Sequence, residues 1–166
     1  MSIHIARYCA VALAASALAG CIAPSTPSST PQAAVSQYGV VAVKSAYPFA
    51  DTISRLKQDF AAKGLMFFDE IDQAKLAADA GITAMPSTLL VFGNPALGTQ
   101  FITANQQAGI DWPVRLLVYQ DREGQVWAEY TDFGYIAKRH AIVDRDPQFQ
   151  KASEVIASIA ASVAVK

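Results

Sequence analysis

The chain has 166 residues and an almost balanced charge, 13 Lys and Arg against 14 Asp and Glu. No basic block occurs, so nucleic-acid binding has no electrostatic support. The only cysteines are Cys9 and Cys21, too few for a disulfide framework.

Met1 to Arg7 carries one certain positive charge, Arg7, and Tyr8 to Leu18 is apolar or small throughout. A basic head followed by a short apolar run reads as a secretory signal. The run is too short for a membrane span, which takes about 20 residues. Leu18-Ala19-Gly20-Cys21 resembles the lipobox of bacterial lipoproteins. That resemblance implies a signal peptide over residues 1–20, cleavage before Cys21, and lipid on the Cys21 thiol. Cleavage removes Cys9, so Cys21 has no internal disulfide partner, and acylation disposes of a free thiol that an oxidising compartment would attack. By resemblance to lipoprotein sorting signals, Ile22 in place of aspartate implies the outer membrane, facing the periplasm, in a two-membrane cell. Residues 21–37 hold Pro24, Pro27, Pro31 and several Ser and Thr but no charge, and read as a lipidated tether. The mature charge is then −2, because Arg7 alone is lost and 12 basic residues face 14 acidic ones.

Tyr38 to Lys166 has the size of one domain. Tyr38 to Ser45 is valine-rich and suits a strand. Pro48 opens a helix to about Lys63, with Phe49, Ile53, Leu56 and Phe60 on one face and Gly64 placed as a left-handed cap. Leu65 to Ile71 reads as a second strand. Asp72 caps a short helix over Gln73–Ala80, stopped by Gly81. Ser87 to Phe92 is apolar on both faces, as an interior strand is. Asn94-Pro95 caps and opens a helix carrying Leu97, Phe101 and Ile102. Val114–Gln120 and Gln125–Thr131 form a hairpin around Asp121–Gly124. Asp132 caps a short helix toward His140, and Asp146-Pro147 opens a last helix with Phe149, Ala152, Ile156, Ile159 and Val163 on one stripe. This order predicts an α+β layer, a mostly antiparallel sheet with helices on one face.

Asp69-Glu70-Ile71-Asp72, the run Ser87 to Pro95, Gly98-Thr99, Pro113 to Tyr119, and Val126-Trp127 to Tyr130-Thr131 resemble the domain of unknown function 302 family. The likeness covers roughly Tyr38 to His140. It implies a curved sheet with a topology similar to the TATA-binding protein and a tendency to form homodimers, and it brings no general activity. Many members carry histidine where this chain has Gln73, a departure that puts any task of that histidine in doubt here.

Gly93-Asn94-Pro95-Ala96-Leu97-Gly98-Thr99 follows the spacing of a phosphate loop but lacks its lysine, and Pro95 removes an amide donor. It reads as a structural turn, or as backbone N–H groups at a helix start facing an anion. Asp69, Glu70 and Asp72 crowd carboxylates at a strand end without the loop that calcium requires; the plain reading is a cap and solvated acids. His140 is the only histidine left after cleavage and suits a helix C-terminus better than catalysis. No second histidine or thiol supports zinc, and no cofactor motif is present. Trp127 shares a strand face with Glu129 and Thr131, opposite Val126, Ala128 and Tyr130. If the latter set meets the helices, Trp127 lies on an open sheet face near Arg115 or Tyr119; the converse arrangement buries it.

The sequence therefore predicts a membrane-anchored lipoprotein whose domain binds a small ligand or a protein partner through its sheet face, with Asp69, Asp72, Ser87, Thr88, Gly93, Asn94, Gly98, Thr99, Arg115 and Trp127 as candidate contacts. Two alternatives stand beside it, an enzyme using the carboxylates of Asp69 to Asp72 and a structural dimer. No catalytic set and no metal site is indicated.

Overall fold

A computed structural model describes residues 35–164, and its elements follow the expected order. Strand β1 (Val40–Lys44) leads to helix α1 (Phe49–Ala62), then β2 (Met66–Asp72), α2 (Gln73–Asp79) and β3 (Ser87–Gly93). Helix α3 (Pro95–Ala104) runs into a 3₁₀ turn, Gln106–Ile110, which the sequence reading lacks. The hairpin strands β4 (Val114–Gln120) and β5 (Val126–Thr131) are followed by α4 (Phe133–Arg139) and α5 (Asp146–Ala161). Ordered contacts begin ahead of the expected strand. Val35 bridges to Val41, and the Ser36 hydroxyl accepts from the Tyr38 and Val40 amides, so the last residues assigned to the tether belong to the folded unit.

Local chemistry fixes most boundaries. Gly64, Gly81 and Gly124 all take positive φ, closing α1, α2 and the hairpin where other residues are strained. Asp72, Asn94 and Asp132 accept from the amides of Lys75, Leu97 and Tyr135, each satisfying a donor that a helix start leaves open.

All strand pairs are antiparallel, in the order β1-β5-β4-β3-β2. The sheet is thus α+β as expected, with β4 at its centre. Alternation sorts the side chains into two faces. Leu90 and Phe92, Leu116 and Val118, Val126 and Ala128 are buried under Leu56 and Phe60 of α1 and Ile156 and Ile159 of α5. Each of these side chains apart from Ala128 contributes roughly 1.5–3 kcal/mol when fully buried. The opposite face carries Leu89, Val91, Leu117, Trp127 and Glu129, all half-buried. Strand β2 is an edge strand paired only with β3, and almost all of its residues are exposed.

Candidate functional site

The corner where β3 passes into α3 is built around a residue that sequence reasoning missed, Trp112. A Cβ added to Gly98 would lie 1.8 Å from Trp112 Nε1 and 2.0 Å from Cε2, and one at Gly93 would lie 3.3 Å from Nε1. Both glycines are buried, and their missing side chains are the space the indole fills. The spacing of Gly93 and Gly98, which follows that of a phosphate loop but lacks its lysine and reads as a structural turn, is therefore a seat for an aromatic ring. Phe68, at the irregularity of β2, meets the same indole edge-on with centroids 5.9 Å apart.

Trp112 forms one wall of a cavity of about 680 Å³ between α3 and α5, within the roughly 300–1,000 Å³ of small-molecule sites. Phe92, Val114 and Phe133 are among its apolar lining residues. Leu97 and Phe101 line it from α3, and Val155 and Ile156 from α5. Polar side chains, among them Lys63, Gln100, Lys151 and Glu154, lie among the lining residues as well. Mostly apolar walls with a few polar groups are what a small apolar or amphipathic ligand requires.

The residue before Trp112 anchors this wall. Asp111 has a side chain only 4% exposed. Its Oδ2 lies 2.6 Å from His140 Nε2, and its Oδ1 accepts from Arg115 Nη2 and Arg139 Nη1, each at 3.2 Å. Arg115 Nη2 also donates to the Ile110 carbonyl, and Asn105 Nδ2 to the His140 carbonyl. His140 is the residue closing α4, as expected, but it is buried against a carboxylate rather than simply facing the helix dipole. A buried carboxylate without such donors would be costly.

The other expected contacts separate. Asp72 is a helix cap, and Asp69 Oδ1 accepts only its neighbour's amide, from Glu70. Glu70 pairs with Lys57 at 2.7 Å. Among the described residues no three His, Cys, Asp or Glu side chains come together as metal ligands would. The Ser87 hydroxyl donates to Gln73 Oε1 at 2.7 Å, so Gln73 ties the start of α2 to β3. Thr88 is buried on the helix-covered face and cannot meet a ligand on the open one. Asn94 caps α3, and Thr99 Oγ1 donates back to the Pro95 carbonyl. Trp127 does lie on the open face, directly across from Tyr119, because Val126, Ala128 and Tyr130 are the buried set. Its Nε1 donates to Asp121 Oδ2 at 2.7 Å, and that bond holds the Asp121 carboxyl below the usual carboxylate range. Tyr119 donates to Glu129 Oε1 at 2.7 Å; burial, then that bond, pushes its pKa up to about 12.

Residues 41–163 match the family described as "Domain of unknown function DUF302". The chain belongs to that family. The crystal structure of an uncharacterized conserved DUF302 protein from Bacillus stearothermophilus superposes with a TM-score of 0.69, over 75% of this chain and 98% of that one, at 16% identity. At that identity the likeness speaks for the fold. Curated relatives include the fluoride-specific ion channel FluC 1 of Brucella suis biovar 1, 33% identical over 112 residues that cover 68% of this chain and 44% of the relative. FluC 2 of Brucella melitensis biotype 1 is also 33% identical over 112 residues, here 42% of its length. The DUF302 chain thus spans less than half of these relatives. Among its described residues no helix is long and apolar enough to cross a membrane. The expected signal peptide, residues 1–20, and the expected lipidation position, Cys21, lie outside the described residues.

Proposed function

We propose that the protein is a lipid-anchored lipoprotein of the cell envelope, held in the outer membrane through Cys21, whose DUF302 domain binds a small apolar ligand beside Trp112. The cavity carries this reading: two buried glycines give up their side chains to seat an indole whose ring walls an apolar space of about 680 Å³. The lipobox sequence Leu18-Ala19-Gly20-Cys21 supports the anchor. A membrane setting also fits relatives named as ion channels that contain a matching stretch within a longer chain. Conduction is no part of the proposal.

The test uses the full chain carrying Trp127→Phe, which leaves Trp112 as its only tryptophan. Titration with 1-decanol should change Trp112 emission saturably, and Val155→Trp, assayed by calorimetry in the Trp127→Phe chain, should block binding by filling the space. An emission that does not respond, or binding that survives the filled cavity, rejects the assignment. Cys21→Ser should release the protein from membrane fractions, and unchanged attachment would reject the anchor.

A further inference from the structure

A cluster around Asp111, the residue before Trp112, shares no residue with the lining of the cavity. Two arginines converge there on one buried carboxylate. Arg115 Nη2 and Arg139 Nη1 are each 3.2 Å from Asp111 Oδ1, so the two nitrogens lie within twice that distance of each other. Asp111 is closed off from water, while the two arginine side chains are 46% and 47% exposed. Their charges outnumber their counter-charge: two guanidinium groups share a single carboxylate, whose other oxygen is taken by His140.

Both cations satisfy the buried Asp111 carboxylate, and the two arginines with that carboxylate keep one formal positive charge over. A guanidinium carries five N–H donors in a planar fork, and each arginine spends only one nitrogen on protein acceptors among the described residues. Both side chains are about half exposed yet tied to Asp111, Arg115 also to the Ile110 carbonyl, so less rotamer freedom is left to lose on binding. Two pinned forks with a surplus positive charge match an oxyanion that can offer a separate edge of oxygens to each. A tetrahedral phosphate does this, whereas a carboxylate has one edge only.

We propose that Arg115 and Arg139, positioned by Asp111, bind a phosphate group. Its source is either a lipid headgroup or free phosphate, and the chemistry that recognises it is the same.

Calorimetric titration of the full chain with sodium phosphate, against sodium chloride at matched ionic strength, tests it. Binding should be saturable. It should weaken tenfold or more in Arg139→Gln and in Arg115→Gln, less in Arg139→Lys, and not at all in Lys138→Gln, which removes the neighbouring exposed cation. If Arg115→Gln fails to fold for want of its bond to Ile110, Arg139→Gln decides alone. Absence of saturable binding, or an equal loss in Lys138→Gln, overturns the site. Vesicles of phosphatidylcholine, with and without phosphatidylglycerol, separate the sources in chains carrying Cys21→Ser. Adsorption to the phosphatidylglycerol vesicles that phosphate displaces and Arg139→Gln abolishes identifies the headgroup. Phosphate binding with no such adsorption identifies the free anion.

Discussion

Replacing Gly98 by alanine inverts an ordinary expectation, and the structure sets the sign. Gly98 sits inside α3, where alanine normally gains about 1 kcal/mol over glycine. Here the new methyl would fall 1.8 Å from Trp112 Nε1, against a ring wedged beside Phe68 rather than against the free end of a flexible chain. Overpacking of this kind costs about 1–3 kcal/mol, and a contact this deep belongs at the upper end. Subtracting the helix gain leaves a net loss of about 2 kcal/mol. With a urea slope of roughly 1–3 kcal/mol/M, the unfolding midpoint should fall by about 1 M. In a Trp112→Ala background the clash is gone, and the same substitution should become stabilising, a coupling of about 3 kcal/mol between the two positions. Urea denaturation of the four chains, followed by circular dichroism, measures both quantities. A Gly98→Ala protein as stable as the parent, or one whose effect keeps its sign without Trp112, would refute the seat.

Other consequences follow from the same contacts. Asp111→Ala should destabilise by about 3 kcal/mol, the lower end for breaking a buried pair, because both arginines are half in water while His140 is left buried without its acceptor; a urea midpoint within experimental error of the parent would contradict this. Tyr119 should titrate near 12, and Glu129→Gln should move it back toward 10, read from tyrosinate absorbance. The folded pKa lies above the unfolded value, so the contribution to stability is complete below pH 10 and is lost as pH rises toward 12. A Tyr119 that ionises with the exposed tyrosines would remove that alkaline dependence.

Local signals made much of the fold legible. The stripe Phe49, Ile53, Leu56, Phe60 and the caps Asp72, Asn94 and Asp132 act within a few residues, and so do Gly64 and Gly124 at positive φ; helix period and turn chemistry are visible at that range. The α5 stripe Phe149, Ala152, Ile156 and Ile159 was equally plain, while Val163, expected on it, is buried just past the helix end. The site was not. Gly98 and Trp112 meet across the length of α3 and the 3₁₀ turn, and Asp111 reaches His140 across 29 positions. Nothing in a glycine spacing says whether the vacated space will hold a phosphate or an indole. Arg115 was singled out from its strand position, but its partners Asp111 and Arg139 come from the corner before β4 and the end of α4, which only packing brings together. The face carrying Trp127 was legible as an alternation, and the burial of Tyr130 decided which side of it was covered.

The acids of β2 have a further consequence, because that strand is the margin of the sheet. Among the described residues no strand pairs with its outer edge, and Met66, Phe67 and Phe68 are exposed, the features by which identical strands adhere to one another. An antiparallel meeting of two copies centred on Asp69 or on Glu70 would set that carboxylate against its own counterpart, and like charges facing across strands are destabilising. On the proposed anchor the molecules share a plane and collide far more often than free ones would. Asp69, Glu70 and Asp72 would then act as spacers that keep neighbouring copies in a crowded film from pairing edge to edge.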